Sequence, residues 1–345
     1  MRTTNAAAIA AAMIPMLFQP PQVFAEAPTA TVTMVQLTTR DQSPQSIMDR
    51  MPRFFDEAAE QGSDLIVFPE YVLGYRIPAD HPHVTRFREL AQQHNMYAIA
   101  GLVEKHGERY ATTAMLVDRE GEIIGRYLKS HPAAGPGPHW WPPLRGSDAE
   151  ARGILGNQFK VFHLDFGTIG ILQCYDGYFP EAWGCTSYAG AEMIFWINGR
   201  DGMVEDSHCR MASEAYGCVV GANITDGKNT GFAGGGCIKA PGTPEEARLF
   251  PRIDKPGDGC VHATIDLDRL RWRRKHLRTM HQRRPEMYGL LTKDVKMWQD
   301  YPTIPWDYPE CDALTNVAQL PPLEAPKPEP DSAEKVAVES TNTSK

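Results

Sequence analysis

No apolar run in the 345-residue chain is long enough to cross a bilayer as a permanent helix. The longest covers residues 6–18, and a spanning helix needs about 20 residues. Cysteine is sparse and odd in number, with 7 residues, so no disulfide scaffold holds the chain and at least one thiol stays unpaired within it. A basic excess is also missing. Lys and Arg number 35 against 43 Asp and Glu, a net charge of −8, which argues against nucleic acid or an anionic membrane as the main partner. No CxxC or HExxH spacing occurs, so His81, His83, His131 and His139 do not read as a metal site. The basic stretch 269–284 reads as a solvated helix face or a basic extension. No repeat or charge block splits the middle of the chain, and we expect one domain over residues 26–300.

The two ends read differently from that middle. Residues 1–25 combine Arg2, the apolar run and the small residue Ala25, the pattern of a secretory signal cleaved before Glu26. The expectation is therefore an exported protein, periplasmic or secreted, with a cytoplasmic location as the alternative. Residues 301–320 are expected to form an extension packed on the domain or on a partner subunit. Residues 321–345 are Pro, Glu, Lys, Ser and Thr with almost no large apolar side chain, and are expected to be disordered.

Between the ends, strands and helices alternate. Residues 30–37 are β-branched and alternating, which predicts a strand. Ser43 and Pro44 offer an N-cap and first-turn pair for a helix reaching Gln61, with Gly62 as its stop. Pro52 is expected to kink that helix or delay its start. Further strands are predicted at 64–68, 97–104, 113–118, 123–128, 159–164, 169–173, 192–196 and 218–224, with helices at 84–94, 180–189 and 208–216. Continuous apolar strands, hairpins and helices together predict a layered α/β sandwich.

Three reactive side chains stand just past apolar strands: Glu70 in DLIVFPE, Lys129 in IIGRYLK and Cys174 in GILQCYDG. Singly they read as a helix-start carboxylate, a solvated lysine and a small core thiol. Together they make a base, an oxyanion stabiliser and a nucleophile.

These segments, followed by GAEMIFWIN, ASEAYGCVVGAN, GGGCIKAPG, IDLDRLR and RRPEMY in that order, resemble the nitrilase, or carbon–nitrogen hydrolase, superfamily. The resemblance runs from about residue 30 to 291. It implies a four-layer αββα sandwich in which Glu70, Lys129 and Cys174 are the catalytic groups. It also implies a second glutamate between the lysine and the cysteine, for which Glu150 stands 24 residues before Cys174, with Asp148 as its competitor. Two positions depart from the pattern: Gly236 replaces a small hydroxyl residue, and an Asn is missing near 111–113.

On this reading Glu70 shuttles the proton, Lys129 and the backbone N–H of Tyr175 hold the oxyanion, and Glu150 orients Lys129 and Glu70. No metal or organic cofactor is required, and the expected assembly is a homodimer or higher homo-oligomer. The string CYDGYFPEAW lacks the Trp-Glu that usually follows a nitrilase cysteine. It also has Gly177 and Tyr178 where carbamoyl amino acid hydrolases place an arginine for the substrate carboxylate. A small neutral amide is the expected substrate, with Tyr178, Trp140 and Trp141 as pocket walls. N-carbamoyl amino acid or ureido-acid hydrolysis and nitrile hydrolysis are the alternatives, and a catalytically silent binding protein on the same fold is the reading from a different class.

Overall fold

The computed structural model describes residues 29–39, 41–133, 150, 153–199, 204–225, 233–235, 237–239, 246–248, 253 and 255–292. The expectations for residues 1–25 and 301–345 lie outside them.

Two sheets face one another. In the first, the order is β14 (Gly259–Asp266), β1 (Thr29–Gln36), β2 (Leu65–Val67), β4 (Tyr97–His106), β5 (Arg109–Val117) and β6 (Ile123–Leu128), with β3 (Tyr75–Ile77) pairing on β4. In the second, the order is β11 (Ala233–Gly235), β10 (Val219–Asn223), β9 (Met193–Ile197), β8 (Thr168–Gln173) and β7 (Val161–His163). The central strands β1–β2–β4 and β8–β9–β10 are parallel. They are covered on both faces, which is why LIV, MIFWI and the VVGA of β10 are apolar without alternation. A short pair, β12 (Cys237–Lys239) with β13 (Glu246–Arg248), stands apart.

Helices α1 (Pro44–Glu60) and α2 (Pro82–Gln93) cover the outside of the first sheet. Ser43 caps α1 by accepting from the Ser46 N–H at 3.1 Å, and Gly62 turns its end at φ 65°. The helix starts at Pro44 and runs on through Pro52, so Pro52 does not delay it. The stripe Ile47, Met48, Met51, Phe54, Phe55 and Ala58 holds the helix on the sheet despite the lost backbone donor. Helices α3 (Pro180–Tyr188) and α4 (Glu205–Tyr216) cover the second sheet, where Trp183 meets Trp196 edge-on at 5.5 Å. The result is the four-layer αββα sandwich that the motifs imply.

Sequence patterning misses β3 and β14. β14 is half-exposed, burying only Val261, Ala263 and Ile265, and is defined by antiparallel pairing with β1 from Thr29↔Asp266 to Gln36↔Gly259. Helix α5 (Leu267–His276) follows it. Its basic run is not simply a solvated face. Arg271 donates to Glu192 at 2.8 Å, Arg273 pairs with Glu214 at 3.3 Å, and Arg274 donates to the Ser187 carbonyl at 3.2 Å. These arginines tie α5 to the second sheet and its helices.

Two buried amides cross the gap between the sheets and fix the site-bearing strand ends. Asn223 Nδ2 donates to the Val67 carbonyl at 3.0 Å. Gln173 Nε2 donates to the Thr112 and Tyr127 carbonyls, each at 3.1 Å. Val67 precedes Glu70, Tyr127 precedes Lys129, and Gln173 precedes Cys174. Hydrogen bonds buried between sheets therefore set the distances among the three ends.

Candidate active site

Glu70, Lys129 and Cys174 each emerge where a strand stops. After β2, the Gly101 N–H donates to the Pro69 carbonyl at 3.1 Å and brings β4 close under Glu70. A Cβ on Gly101 would lie 2.5 Å from the Glu70 Cα, so only glycine admits this approach. After β6, the Lys129 N–H donates to the Thr112 carbonyl at 2.9 Å. After β8, Cys174 takes φ 42°, a left-handed value rare for a non-glycine residue, and opens a 3₁₀ turn over Cys174–Tyr178. Trp196 Nε1 donates to the Cys174 carbonyl at 2.8 Å and braces that turn from β9.

Lys129 Nζ lies 3.2 Å from Glu70 Oε1 and 2.8 Å from Glu150 Oε1. All three side chains are buried, Glu70 fully. Glu70 Oε2 accepts the Gly199 N–H at 2.9 Å. Glu150 also accepts from the Tyr71 hydroxyl and the Ala133 N–H. Cys174, 7% exposed, is near enough for its charge to act on Lys129 and Tyr71.

The electrostatics divide the two glutamates. Burial pushes the Glu70 carboxyl up to about 7; Lys129 opposes the shift and the Glu150 charge adds to it. Burial also works against the Glu150 charge, but Lys129, Tyr71 and the Ala133 N–H overcome it and hold that carboxyl below its usual range. For Lys129, burial disfavours the cation, while Glu70, Cys174 and Glu150 more than restore it and raise its affinity for the proton. The site thus holds one fixed cation, one fixed anion and one carboxyl that exchanges its proton near neutrality beside a thiol. Such a set can carry proton transfer and nucleophilic attack at a carbonyl.

A second network locks the other side of the turn. Asp176, buried, accepts the Tyr127 hydroxyl and the His131 N–H at 2.8 Å each, and the Gln173 N–H at 3.1 Å. The His131 ring lies 2.8 Å from the same carboxylate and stacks on Phe179 at 3.8 Å. It joins the segment after Lys129 to the turn at Cys174. His81 accepts the His83 N–H at the start of α2. Among the described residues, no group of three or more His, Cys, Asp or Glu could hold a metal ion.

Of the pocket residues expected from the sequence, Tyr175 and Tyr178 are 38% and 41% exposed, with rings 5.4 Å apart. Tyr178 reaches on to His208 at 5.4 Å. Among the described residues they form an aromatic surface next to Cys174. Trp140, Trp141, Asp148 and Gly236 lie outside the described residues. Sequence reading missed Tyr71, Gly199 and Asp176 as parts of the site. Tyr71 and Asp176 each neighbour a motif residue, which was the available signal. Gly199 likewise follows the GAEMIFWIN segment directly.

The model of the carbon–nitrogen hydrolase family matches residues 31–216, more than half of the 345. The chain belongs to the carbon–nitrogen hydrolase family. Among its relatives is the N-carbamoylputrescine amidase of Arabidopsis thaliana, 24% identical over 279 residues that cover 70% of this chain and 89% of that one. The fold is shared with a carbon–nitrogen hydrolase from Helicobacter pylori G27, at a TM-score of 0.62 and 20% identity over 78% of this chain and all of the other. It is also shared with an amidase variant from Nesterenkonia sp. AN1, at a TM-score of 0.56 and 20% identity over 75% and 95% of the two chains. That variant shows covalent addition of the acetamide moiety of fluoroacetamide at its active site cysteine. This carbon–nitrogen hydrolase is thus an enzyme of a family acting on amide and carbamoyl C–N bonds.

Proposed function

We propose that this carbon–nitrogen hydrolase cleaves a small neutral primary amide to acid and ammonia through a thioester on Cys174. The observation that carries the reading is the sharing of one buried lysine by two carboxylates, which leaves Glu70 with a carboxyl near 7. Glu70 takes the Cys174 proton as sulfur attacks the carbonyl carbon. Lys129 and the Tyr175 N–H receive the oxyanion. Glu70 then gives its proton to the departing nitrogen, and ammonia leaves as the C–N bond breaks. A water, deprotonated by Glu70, attacks the thioester carbonyl. The acid leaves, and the proton returns to sulfur.

The choice of a neutral amide has a steric support. A Cβ on Gly177 would lie 2.3 Å from the Trp196 ring, so no arginine fits there to clamp a substrate carboxylate. The second reading, an N-carbamoyl substrate, is favoured by the likeness to N-carbamoylputrescine amidase. Ammonia release from a panel of simple amides, N-carbamoyl amines, N-carbamoyl amino acids and nitriles separates them. Turnover of simple amides is expected. Turnover confined to carbamoyl compounds would replace the first reading with the second. We also propose export, on the leader-like residues 1–25. Sequencing the N-terminus of natively expressed protein should find a chain starting near Glu26, and a chain starting at Met1 in the cytosol would overturn that proposal.

A further inference from the structure

Tyr71 follows Glu70 directly and takes φ 65°, a left-handed backbone that a tyrosine rarely adopts. Its carbonyl accepts the Gly74 N–H at 3.2 Å, closing a turn. That conformation carries its ring against the backbone beyond β9. A Cβ on Gly199 would stand 2.7 Å from the Tyr71 ring and 2.9 Å from Glu70 Oε2. The ring and the Glu70 carboxylate therefore press on the same glycine, whose N–H is bound to Glu70. At the far end of the ring, the Tyr71 hydroxyl donates to Glu150 Oε1, the oxygen that also takes Lys129 at 2.8 Å.

We infer that Tyr71 is a positioning residue of the hydrolytic site: acting through Glu150, its hydroxyl holds the carboxylate oxygen that orients Lys129. The inference rests on the hydrolytic reading above. The groups facing Tyr71 are Glu70 beside it in the chain, Glu150, and Cys174 at the end of β8, with Lys129 across the shared oxygen. Burial first, and then the charges of Glu70 and Glu150, push the Tyr71 hydroxyl well above its ordinary value. It stays protonated through the working range and is always a donor. Removing the donor leaves more uncompensated negative charge at Glu150. That makes both the Glu70 carboxyl and the Cys174 thiol harder to ionise.

The test uses Tyr71→Phe, which keeps the ring on Gly199 and removes only the hydroxyl. Two profiles against pH are read in the full chain. One is kcat/KM on the best amide of the panel. The other is the rate of alkylation of Cys174 by iodoacetamide, followed by peptide mass, which does not depend on turnover. Both midpoints are expected to move up by about one pH unit, the scale of one hydrogen bond to a charged group. kcat should fall about tenfold on the same scale with KM little changed. In a Glu150→Gln background the same substitution should shift neither profile. Unmoved profiles, or an equal shift with Gln at position 150, would overturn the inference. Undiminished turnover in Cys174→Ala would instead overturn the hydrolytic reading, while the alkylation profile of Tyr71→Phe still decides the role of Tyr71.

Discussion

Two buried glutamates on the first sheet have cationic neighbours and come to opposite states. Glu104, on β4 and 1% exposed, is met by Arg126 Nε at 2.8 and 3.1 Å and by His106 at 3.4 Å. Burial opposes its charge, but His106 and Arg126 prevail, and its carboxyl is held below the usual range. Glu70 is no more exposed, yet its one cation stands at 3.2 Å and is shared with Glu150. Its carboxyl rises to about 7. Burial penalises both. Glu104 has the Arg126 guanidinium and the His106 ring to itself, whereas Glu70 shares its lysine with Glu150 and has the Glu150 charge against it, so burial prevails at Glu70 and not at Glu104. A structural ion cluster and a reactive one differ here by a shortage of positive charge.

On the mechanism proposed above, Glu70 serves the Cys174 thiol, and the largest expected effect follows from that pairing. Cys174→Ala is expected to reduce ammonia release to the uncatalysed background while the circular dichroism spectrum and melting temperature stay near wild type. No acyl adduct should then appear by mass spectrometry.

Glu70→Gln and Lys129→Ala should each lower kcat by about 10²-fold or more, the scale of a lost general base or oxyanion donor. Near-normal rates in either variant would remove that residue from the chemistry. Glu70→Gln carries a second expectation of opposite sign. A folded-state carboxyl at about 7 lies above its unfolded value of 4.5, so the folded protein binds the extra proton between those values. Stability falls as pH rises through that window, by roughly 3 kcal/mol if Glu70 acts alone. Above pH 7 the inactive Glu70→Gln variant should melt higher than wild type, and the difference should shrink towards pH 5.

Glu150→Gln should cost less in rate, about tenfold, because it orients Lys129 rather than exchanging the proton. The Glu150 charge raises Glu70, so the acid limb of kcat/KM should move to lower pH in this variant. An upward shift would contradict the division of roles between the two glutamates.

Glu104→Gln should leave the rate and its pH profile unchanged and act on stability alone. It leaves Arg126 short of an anion and is expected to cost about 1–3 kcal/mol near neutral pH. The lowered carboxyl contributes stability above its unfolded value of 4.5 and loses it as pH falls through the folded value. The gap between variant and wild type should therefore close in acid, which thermal melts from pH 7 down to pH 3 would register.

Much of the site is legible in the sequence. Glu70, Lys129 and Cys174 stand at the ends of strongly patterned strands, and such ends converge at one edge of a layered sandwich. Glu150 comes from the family resemblance, which implies a glutamate between Lys129 and Cys174, and it reaches Lys129 from outside the patterned strands. Tyr71 was not chosen, because a tyrosine after a motif glutamate has no local mark of its left-handed φ. Asp176 was quoted only as part of a string, since its four hydrogen bonds come from β6, from His131 and from Gln173. β3 is three residues long and mostly exposed, so it carries no periodicity, whereas β14 does alternate, with Val261, Ala263 and Ile265 inward, a signal that the reading of the sequence passes over.

Local physics therefore settled the order of strands and helices, their caps and stops, and which three reactive groups leave the strand ends. These depend on side-chain branching, glycine and proline, and the burial of apolar runs, all of which neighbouring residues express. The protonation states were settled only by the fold. They depend on how many charges share a dry space. That number follows from Asn223 and Gln173 spanning the sheets, from Gly101 admitting the Glu70 backbone and Gly199 the Tyr71 ring and Glu70 carboxylate, and from Lys129 standing between two carboxylates. None of those distances is a property of residues near one another in the chain.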